Sequence, residues 1–409
     1  MALRICFLSR RYFPTVSGIS VYADNLVRQM VALGHDITML SQYYGGATAG
    51  VYGGGDPPGI PGATVVGFEA VNEQDGGNFE GDIDVLVREI ERRHDEQPFD
   101  LLHAQYGYPT GYAVLIAAQR LGLPSVVSIQ GGDGHWVGEC CGTHRDAMRA
   151  VCLHADSVII GSSGFARQVA ARLDVPEARF TVIPGAVDTG RFHPPAGHDP
   201  ATLHDPVRLL YHGRVDARKG VLELLDAFEM LQADGRSLTL RVSGIGPDQA
   251  AVEARCAQIP NAEATGPADY AAAPDVYRDA DLFLSPTHAE GFSNTILEAM
   301  ATGLPIVSCD AVGVRDCLEH ERDALLCEVS DVAGLADQPR RLLDDADLRT
   351  RLAGTALQRV RDLYAWPVIA GRIADLYAQL TPERSASFTA APVREPREAC
   401  IYRDNPPLL

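Results

Sequence analysis

The stretch LRICFLSRRYFPTVSGISVYADNLVRQMVALGHDITML, residues 3–40, decides the fold. Its apolar run Leu3–Leu8 reads as a buried strand. A turn region with Pro14, Ser17 and Gly18 follows. Tyr22, Leu26, Met30 and Leu33 then recur at near-helical spacing, Gly34 closes the helix, and Ile37–Leu40 begins a second strand. Strand, helix, strand is a βαβ unit, which forces the two strands to be parallel.

The alternation continues outward. Gly45 to Gly62 is rich in Gly and Pro and reads as a loop. Strand-like runs follow at Phe99–His103, Ser125–Ile129 and Ser157–Ile160, with helical patterns between them. Phe192 through Pro206 is proline-rich and polar, and reads as a linker. Beyond it Val207–Tyr211 is a strand, and Val221, Leu224, Leu225, Phe228 and Leu231 mark an amphipathic helix. Leu238–Val242, Leu282–Ser285 and Pro305–Ser308 are further strands, and Val360–Leu380 is helical. The expected fold class is α/β, with two Rossmann-like domains facing across a cleft. Residues 1–195 form the first and 206–360 the second. A helix over 361–381 crosses back to the first, and a polar tail covers 382–409. Ligands in such sheets bind at the carboxyl ends of the strands.

Composition narrows the partners. A net charge of −19 argues against nucleic acid and against anionic membrane surfaces. No apolar run approaches the roughly 18 residues of a membrane helix. The first residues lack a signal-peptide cleavage site. Nine scattered cysteines fit a reducing cytoplasm.

Thirty-five Lys and Arg residues include one lysine, Lys219. It lies in Gly213-Arg214-Val215-Asp216-Ala217-Arg218-Lys219-Gly220, at a strand–loop–helix junction. A chain that uses Arg everywhere else spares Lys where a compact ammonium does what a flat guanidinium cannot. A point charge beside a phosphate is such a place. The second informative segment is Glu290-Gly291-Phe292-Ser293-Asn294-Thr295-Ile296-Leu297-Glu298, followed by Ala-Met-Ala-Thr-Gly-Leu-Pro. A strand ends, a glycine turn follows, and a helix begins near Asn294, a good N-cap. The unpaired N–H groups of that first turn are a seat for a phosphate. Glu290 and Glu298 flank the seat, as suits a ligand with hydroxyls on both sides of a phosphate. A sugar nucleotide is such a ligand. Each Glu taken alone would read as a solvated surface charge.

The segment Glu290–Glu298 resembles the paired-glutamate motif of the retaining GT-B glycosyltransferases of family 4, the group 1 glycosyltransferases. Arg214…Lys219-Gly220 is similar to that family's phosphate-binding pair. Gly244-Ile245-Gly246-Pro247-Asp248, Ile183–Asp188 and the late Trp366 helix are also similar to it, so the likeness runs from about residue 3 to 380. The resemblance implies a metal-independent hexosyltransferase that moves a sugar from a nucleoside-diphosphate sugar with retention of configuration and needs no cofactor. The acidic surface offers a membrane no foothold, so a small soluble acceptor is expected, and with the scattered cysteines a soluble, cytoplasmic protein. It implies that Arg214 and Lys219 neutralise the leaving diphosphate. Glu298 would hold the ribose and Glu290 the donor sugar. Gly291, Phe292 and Ser293 would add backbone contacts, with Asn294, Thr295 and Gly244 in the donor site.

In the N-terminal half, Pro14-Thr15-Val16-Ser17-Gly18 is similar to the family's glycine-rich loop, with Ser17 where a first glycine is usual. Gly18 is the expected donor contact. Gln130-Gly131-Gly132-Asp133 resembles a His-Gly-x-Asp motif, with Gln130 in place of His, where an amide still bonds a sugar hydroxyl. Tyr106, Asp133, His135 and Trp136 are expected on the acceptor side. His103, inside an apolar run, reads as a satisfied core residue.

No metal site is expected. Cys140-Cys141-Gly142-Thr143-His144, with Cys152 and His154 beyond, fits no standard finger and reads as buried thiols near the acceptor. Asp82-Ile83-Asp84 and Asp279-Ala280-Asp281 match Asp-x-Asp but lack a supporting loop. Two rival readings remain: a sugar phosphorylase or epimerase of the same architecture, and a degenerate sugar-nucleotide-binding regulatory subunit. The sugar, base, acceptor and oligomeric state are left open.

Overall fold

A computed structural model describes residues 2–380 and 399–405. The chain divides into two compact units, Met1–Pro184 with Ile369–Leu409, and Gly185–Val368. Each is built on one parallel sheet covered by helices, so the α/β architecture with two Rossmann-like domains holds.

Unit 1 holds strands β1 (Arg4–Ser9), β2 (Asp36–Tyr43), β3 (Ala63–Glu69), β4 (Leu101–Gln105), β5 (Ser125–Ile129), β6 (Ser157–Ile160) and β7 (Phe180–Val182), in the order β3-β2-β1-β4-β5-β6-β7. Ile5 registers with Ile37 on one side and Leu101 on the other. Strand order reverses between β1 and β4, and chains leaving there in opposite directions open a crevice at the carboxyl ends. The helix Gly18–Ala32 starts at Ser17, whose Oγ accepts from Ser20 N at 3.2 Å, and ends before Gly34 in the left-handed region. Its inner face buries Tyr22, Leu26 and Met30. Side chains like Leu26 and Met30 contribute about 1.5–3 kcal/mol each when fully buried.

Unit 2 holds β8 (Val207–His212), β9 (Leu238–Ser243), β10 (Ala262–Gly266), β11 (Leu282–Ser285), β12 (Ile306–Cys309) and β13 (Leu325–Cys327), in the order β10-β9-β8-β11-β12-β13. Here the reversal lies between β8 and β11, which pair through Leu209 with Leu282 and Leu210 with Phe283.

Several expectations are adjusted. Gly45–Gly62 is not loop throughout, because Gly46–Tyr52 is helical. The Pro-rich segment read as a linker packs within unit 2. Phe192 is in its core, His204 Nδ1 bonds Asp281 at 2.8 Å, and Arg349 Nε donates to Pro200 O at 2.9 Å. The helix expected over Val360–Leu380 is two helices, Ala346–Leu363 and Trp366–Gln379. Pro367 cannot continue the first helix and suits the first turn of the second. At the break Val187 N donates to Tyr364 O and Trp366 N to Val187 O, at 2.9 and 3.1 Å. Of the polar tail, residues 381–398 and 406–409 lie outside the described residues. Cys400 and Tyr402 are buried in unit 1.

His103 is the core residue its apolar run suggests. It is fully buried on β4, with Nδ1 2.5 Å from Tyr377 Oη and Nε2 2.8 Å from Ser128 Oγ. Burial pushes its pKa down to about 3, so the folded protein keeps it neutral. The unfolded chain protonates it near 6.5, so its stabilisation is complete above that pH and is lost as pH falls. The expected loss at pH 5 is about 2 kcal/mol. Denaturant unfolding at pH 7 and pH 5 should therefore show a smaller acid-induced loss in His103→Gln than in the wild type. An equal loss would contradict a neutral buried His103.

Candidate functional site

The reversal in unit 2 brings two strand-end loops together. The loop after β8 carries Gly213–Asp216 and a 3₁₀ turn, Ala217–Lys219, before the helix Val221–Gln232. The loop after β11 carries Glu290 and leads into the helix Asn294–Thr302. Across them Lys219 Nζ lies 2.8 Å from Glu290 Oε1 and donates to Ala289 O at 3.2 Å. Lys219 keeps 26% of its side chain exposed and Glu290 17%, so the pair is held yet reachable.

Arg214 is exposed on the same loop as Lys219, its Nε 3.3 Å from Asp216 Oδ2. Asp216 also accepts from Arg218. Burial works against its charge, but the Arg218 bonds and both guanidinium groups hold its pKa down to about 2. Asp216 thus sets the pitch of the two arginines, a part that sequence reasoning left unassigned.

Backbone packing fixes these loops. Gly244 has φ +152°, and a Cβ there would sit 1.7 Å from Gly213 O, so only glycine allows the contact. Val215 N donates to Ile245 O at 3.1 Å, and Ala217 N to Asp248 Oδ2 at 2.6 Å. Gly313, φ +81°, supports the other loop: its Cβ would lie 2.1 Å from Glu290 O, and Glu290 N donates to Val312 O at 2.9 Å. Gly313 was not foreseen, being 23 residues from Glu290 in sequence and outside any motif.

The N-cap is Ser293 rather than Asn294, its Oγ accepting from Ile296 N at 3.5 Å. Asn294 and Thr295 open the first turn, where helical geometry leaves N–H groups without a partner one turn back. Phe292 is half-buried against the Tyr364 ring, with centroids 5.5 Å apart, and Gly291 is buried. Glu298 lies one turn in. Its Oε2 accepts from Tyr277 Oη at 2.6 Å. Burial raises its pKa to about 7, against the pull of the Tyr277 hydroxyl and of Arg191. Tyr277, fully buried 21 residues upstream, had no signal in the sequence.

In unit 1, the carboxyl ends of β1, β4 and β5 carry the other candidates. Gly18 begins its helix. Ser17 has φ −156° and ψ 165°, extended backbone that needs no glycine, and its hydroxyl caps the helix. The Gln130 side chain hydrogen-bonds the Tyr22 hydroxyl. Tyr106 is buried with φ +84°, an unusual state for a bulky residue, stabilised by Tyr106 N→Ser128 O and Gly111 N→Tyr106 O, both 2.9 Å.

Two acceptor-side candidates turn inward. Asp133 is fully buried and ties loops together, accepting from Gln130 N at 3.0, Gly131 N at 2.9 and Gly107 N at 2.7 Å. His135 is buried with its ring centroid 4.4 Å from that of Phe165. Trp136 is half-buried beside it. One member at least of each Asp-x-Asp pair is engaged within the fold. Asp82 accepts from Asn72 and Glu73, and Asp281 from His204 and Arg208.

Comparison with known proteins agrees with this frame. Residues 17–186 match the glycosyl transferase 4-like domain, and residues 206–345 match the family described as glycosyl transferases group 1. Glycogen synthase of Mycobacterium tuberculosis is 26% identical over 400 residues, covering 92% of this chain and 94% of its own. D-inositol 3-phosphate glycosyltransferase of Xylanimonas cellulosilytica is 26% identical over 414 residues, 90% and 93% of the two chains. Among solved structures, sucrose-phosphate synthase of Thermosynechococcus elongatus superposes with a TM-score of 0.75 at 20% identity, covering 92% and 98%. Anabaena HepE in complex with UDP and glucose gives 0.71 at 17%, covering 92% and 100%.

The Tyr277–Glu298 bond has a measurable consequence. The hydroxyl favours the charged carboxylate, so Tyr277→Phe should raise the Glu298 titration midpoint by up to about one pH unit. Carboxyl ¹³C NMR, assigned with Glu298→Gln, checks it. A midpoint that stays or falls would show that the hydroxyl does not stabilise the carboxylate.

Proposed function

The chain belongs to the group 1 glycosyltransferases, and from that premise we propose that it moves a sugar from a nucleoside diphosphate to a small hydroxyl-bearing acceptor. Configuration at the anomeric carbon is retained, and the chemistry uses no catalytic metal. The Lys219–Glu290 contact at the reversal of strand order carries this reading. It sets the chain's only lysine and a carboxylate at one point, and Arg214 is on the same loop as the lysine, held by Asp216. A diphosphate draws Lys219 and Arg214 to its oxygens, while Glu290 turns to the sugar hydroxyls.

As the bond from the anomeric carbon to the phosphate oxygen breaks, its electron pair passes to the diphosphate. Lys219 and Arg214 meet that charge already oriented, so their attraction grows toward the transition state. Two cations supply what a divalent ion would otherwise provide. Gly291, Phe292, Ser293, Asn294 and Thr295 face the donor with backbone N–H groups, and Gly244 leaves the loop open to it. Glu298 accepts from the ribose hydroxyls, for which it must be ionised, and the Tyr277 bond favours that state. The complexes of HepE with UDP and with UDP-glucose support a nucleoside-diphosphate sugar as donor. The inositol-phosphate relatives support a small acceptor. Unit 1 offers Gly18 and Gln130 to the substrates, with Tyr106 and Trp136 shaping the acceptor loops. The buried Asp133 and His135 act by holding those loops. A phosphorylase built on pyridoxal phosphate would need a Schiff-base lysine, and the one lysine is committed to Glu290.

Lys219→Ala should lower transfer by on the order of 100-fold or more, equivalent to about 3 kcal/mol of transition-state stabilisation, with the fold intact. Lys219→Arg should restore little of it. Both are measured by sugar release and transfer in buffer without added Mg²⁺ or Mn²⁺. Near-wild-type turnover in Lys219→Ala would overturn the assignment, and an absolute need for added divalent cation would overturn the metal-free chemistry.

The two glutamates should fail differently. Glu298→Gln should weaken binding of the bare nucleoside diphosphate. Glu290→Gln should leave that affinity nearly intact and lower kcat with the full donor. Calorimetry and kinetics on both variants separate the roles, and equal losses of nucleoside-diphosphate affinity would mean that the polarity of the site is reversed.

A further inference from the structure

Just beyond the Gln130–Trp136 loop, unit 1 gathers four metal-ligating side chains. Cys140 and Cys141 lie just ahead of the helix Gly142–His154, His144 is in its first turn, and Cys400 comes from the C-terminal segment 256 residues later than His144. Cys140 Sγ is 3.1 Å and Cys400 Sγ 3.6 Å from His144 Nδ1, and His144 N donates to Cys141 Sγ at 3.5 Å. The four ligand atoms all lie within 4.8 Å of one another. Tetrahedral zinc with Zn–S near 2.3 Å and Zn–N near 2.05 Å requires S···N of about 3.5 Å and S···S of about 3.8 Å. The cluster is within an ångström of that shape.

We propose that Cys140, Cys141, His144 and Cys400 form a structural zinc site that fastens the C-terminal segment to unit 1. Three thiolates and one imidazole fill the four positions of a closed, non-catalytic site. Soft sulfur ligands in this number favour zinc over Mg²⁺ or Ca²⁺. All four ligands are intermediate or buried in exposure, and His144 is fully buried.

The surroundings support an ion. The His144 ring is clamped by Tyr108 and Phe79, with centroids 4.6 and 5.6 Å away, which fixes Nδ1 toward the sulfurs. Zinc binding would release the thiol protons as the thiolates form. Three thiolates, a neutral imidazole and Zn²⁺ sum to one negative charge. In the same C-terminal segment, Arg403 Nη2 lies 2.6 Å from Glu80 Oε1 and its Nη1 donates to Gly77 O at 3.1 Å, a second tie of that segment to unit 1. A disulfide to Cys400 would use two sulfurs and leave the third thiol and the directed imidazole unexplained.

The proposal departs from the expected absence of a metal at this cluster. Cys152 and His154, the partners suggested by spacing, are not in it. The ligand that completes the set was out of reach of any spacing rule. The site bears on the acceptor loops through its helix, since Met148 packs where a Cβ on Gly107 would stand, 2.7 Å from Sδ. The proposal does not depend on the sugar-transfer reading.

The test is metal analysis of full-length protein purified without chelator or metal-affinity steps. Mass spectrometry should find about one zinc per chain, falling at least fivefold in Cys400→Ser and in His144→Ala. Reduced, metal-stripped wild-type protein should take up one Co²⁺ and show the intense visible bands of a tetrahedral thiolate site. This second measurement stands if either variant folds poorly. Wild-type protein that neither carries zinc nor takes up Co²⁺, an intact mass 2 Da low with a Cys400 disulfide, or full zinc in Cys400→Ser would each overturn the proposal.

Discussion

The contact between Lys219 and Glu290, 2.8 Å long, depends on one constraint: parallel strands must be buried on both faces. Helices cover those faces, so chemistry is confined to the loops at the carboxyl ends. In unit 2 the β8 and β11 loops are the two that strand order brings side by side. Lys219 and Glu290 are 71 residues apart in sequence and become neighbours for that reason alone. A partly exposed ion pair of this kind contributes little to stability, about 0–1 kcal/mol. Its value lies in holding an ammonium and a carboxylate ready in place, each able to change partner when a ligand arrives.

The support of that pair is backbone against backbone. Gly244 against Gly213 and Gly313 against Glu290 leave no room for a side chain, so the loops cannot drift apart without breaking main-chain hydrogen bonds. Preorganisation of this sort is what an electrostatic catalyst requires. Unit 1 reaches a similar end by another route. There a buried carboxylate, Asp133, gathers three backbone N–H groups and sets the turn beside Tyr106. Burial raises its pKa against those bonds, so it is a strut sensitive to any loss of an N–H partner.

Much of this was legible in the sequence because the signals were local. The βαβ pattern of residues 3–40 needs only apolar spacing and Gly34. Lys219 stood out by composition, and Glu290 with Glu298 by their place at a strand–helix junction. What escaped was long-range or marginal. Strands β3, β7, β10 and β13 were missed because β3 and β10 are half-exposed at sheet edges and β7 and β13 have three residues each. Tyr277, Gly313 and Cys400 act through partners that no spacing rule links to them. Ser17 was weighed as a lost glycine, yet its backbone is extended and its hydroxyl does a cap's work.

A crystal structure of the protein with an intact nucleoside-diphosphate sugar tests the central claim most directly. The account places diphosphate oxygens within about 3 Å of Lys219 Nζ and beside Arg214, with the Lys219–Glu290 pair opened. It also places a sugar hydroxyl on the Glu290 carboxylate and the ribose on Glu298. A diphosphate seated away from Lys219, with the pair still closed, would contradict it.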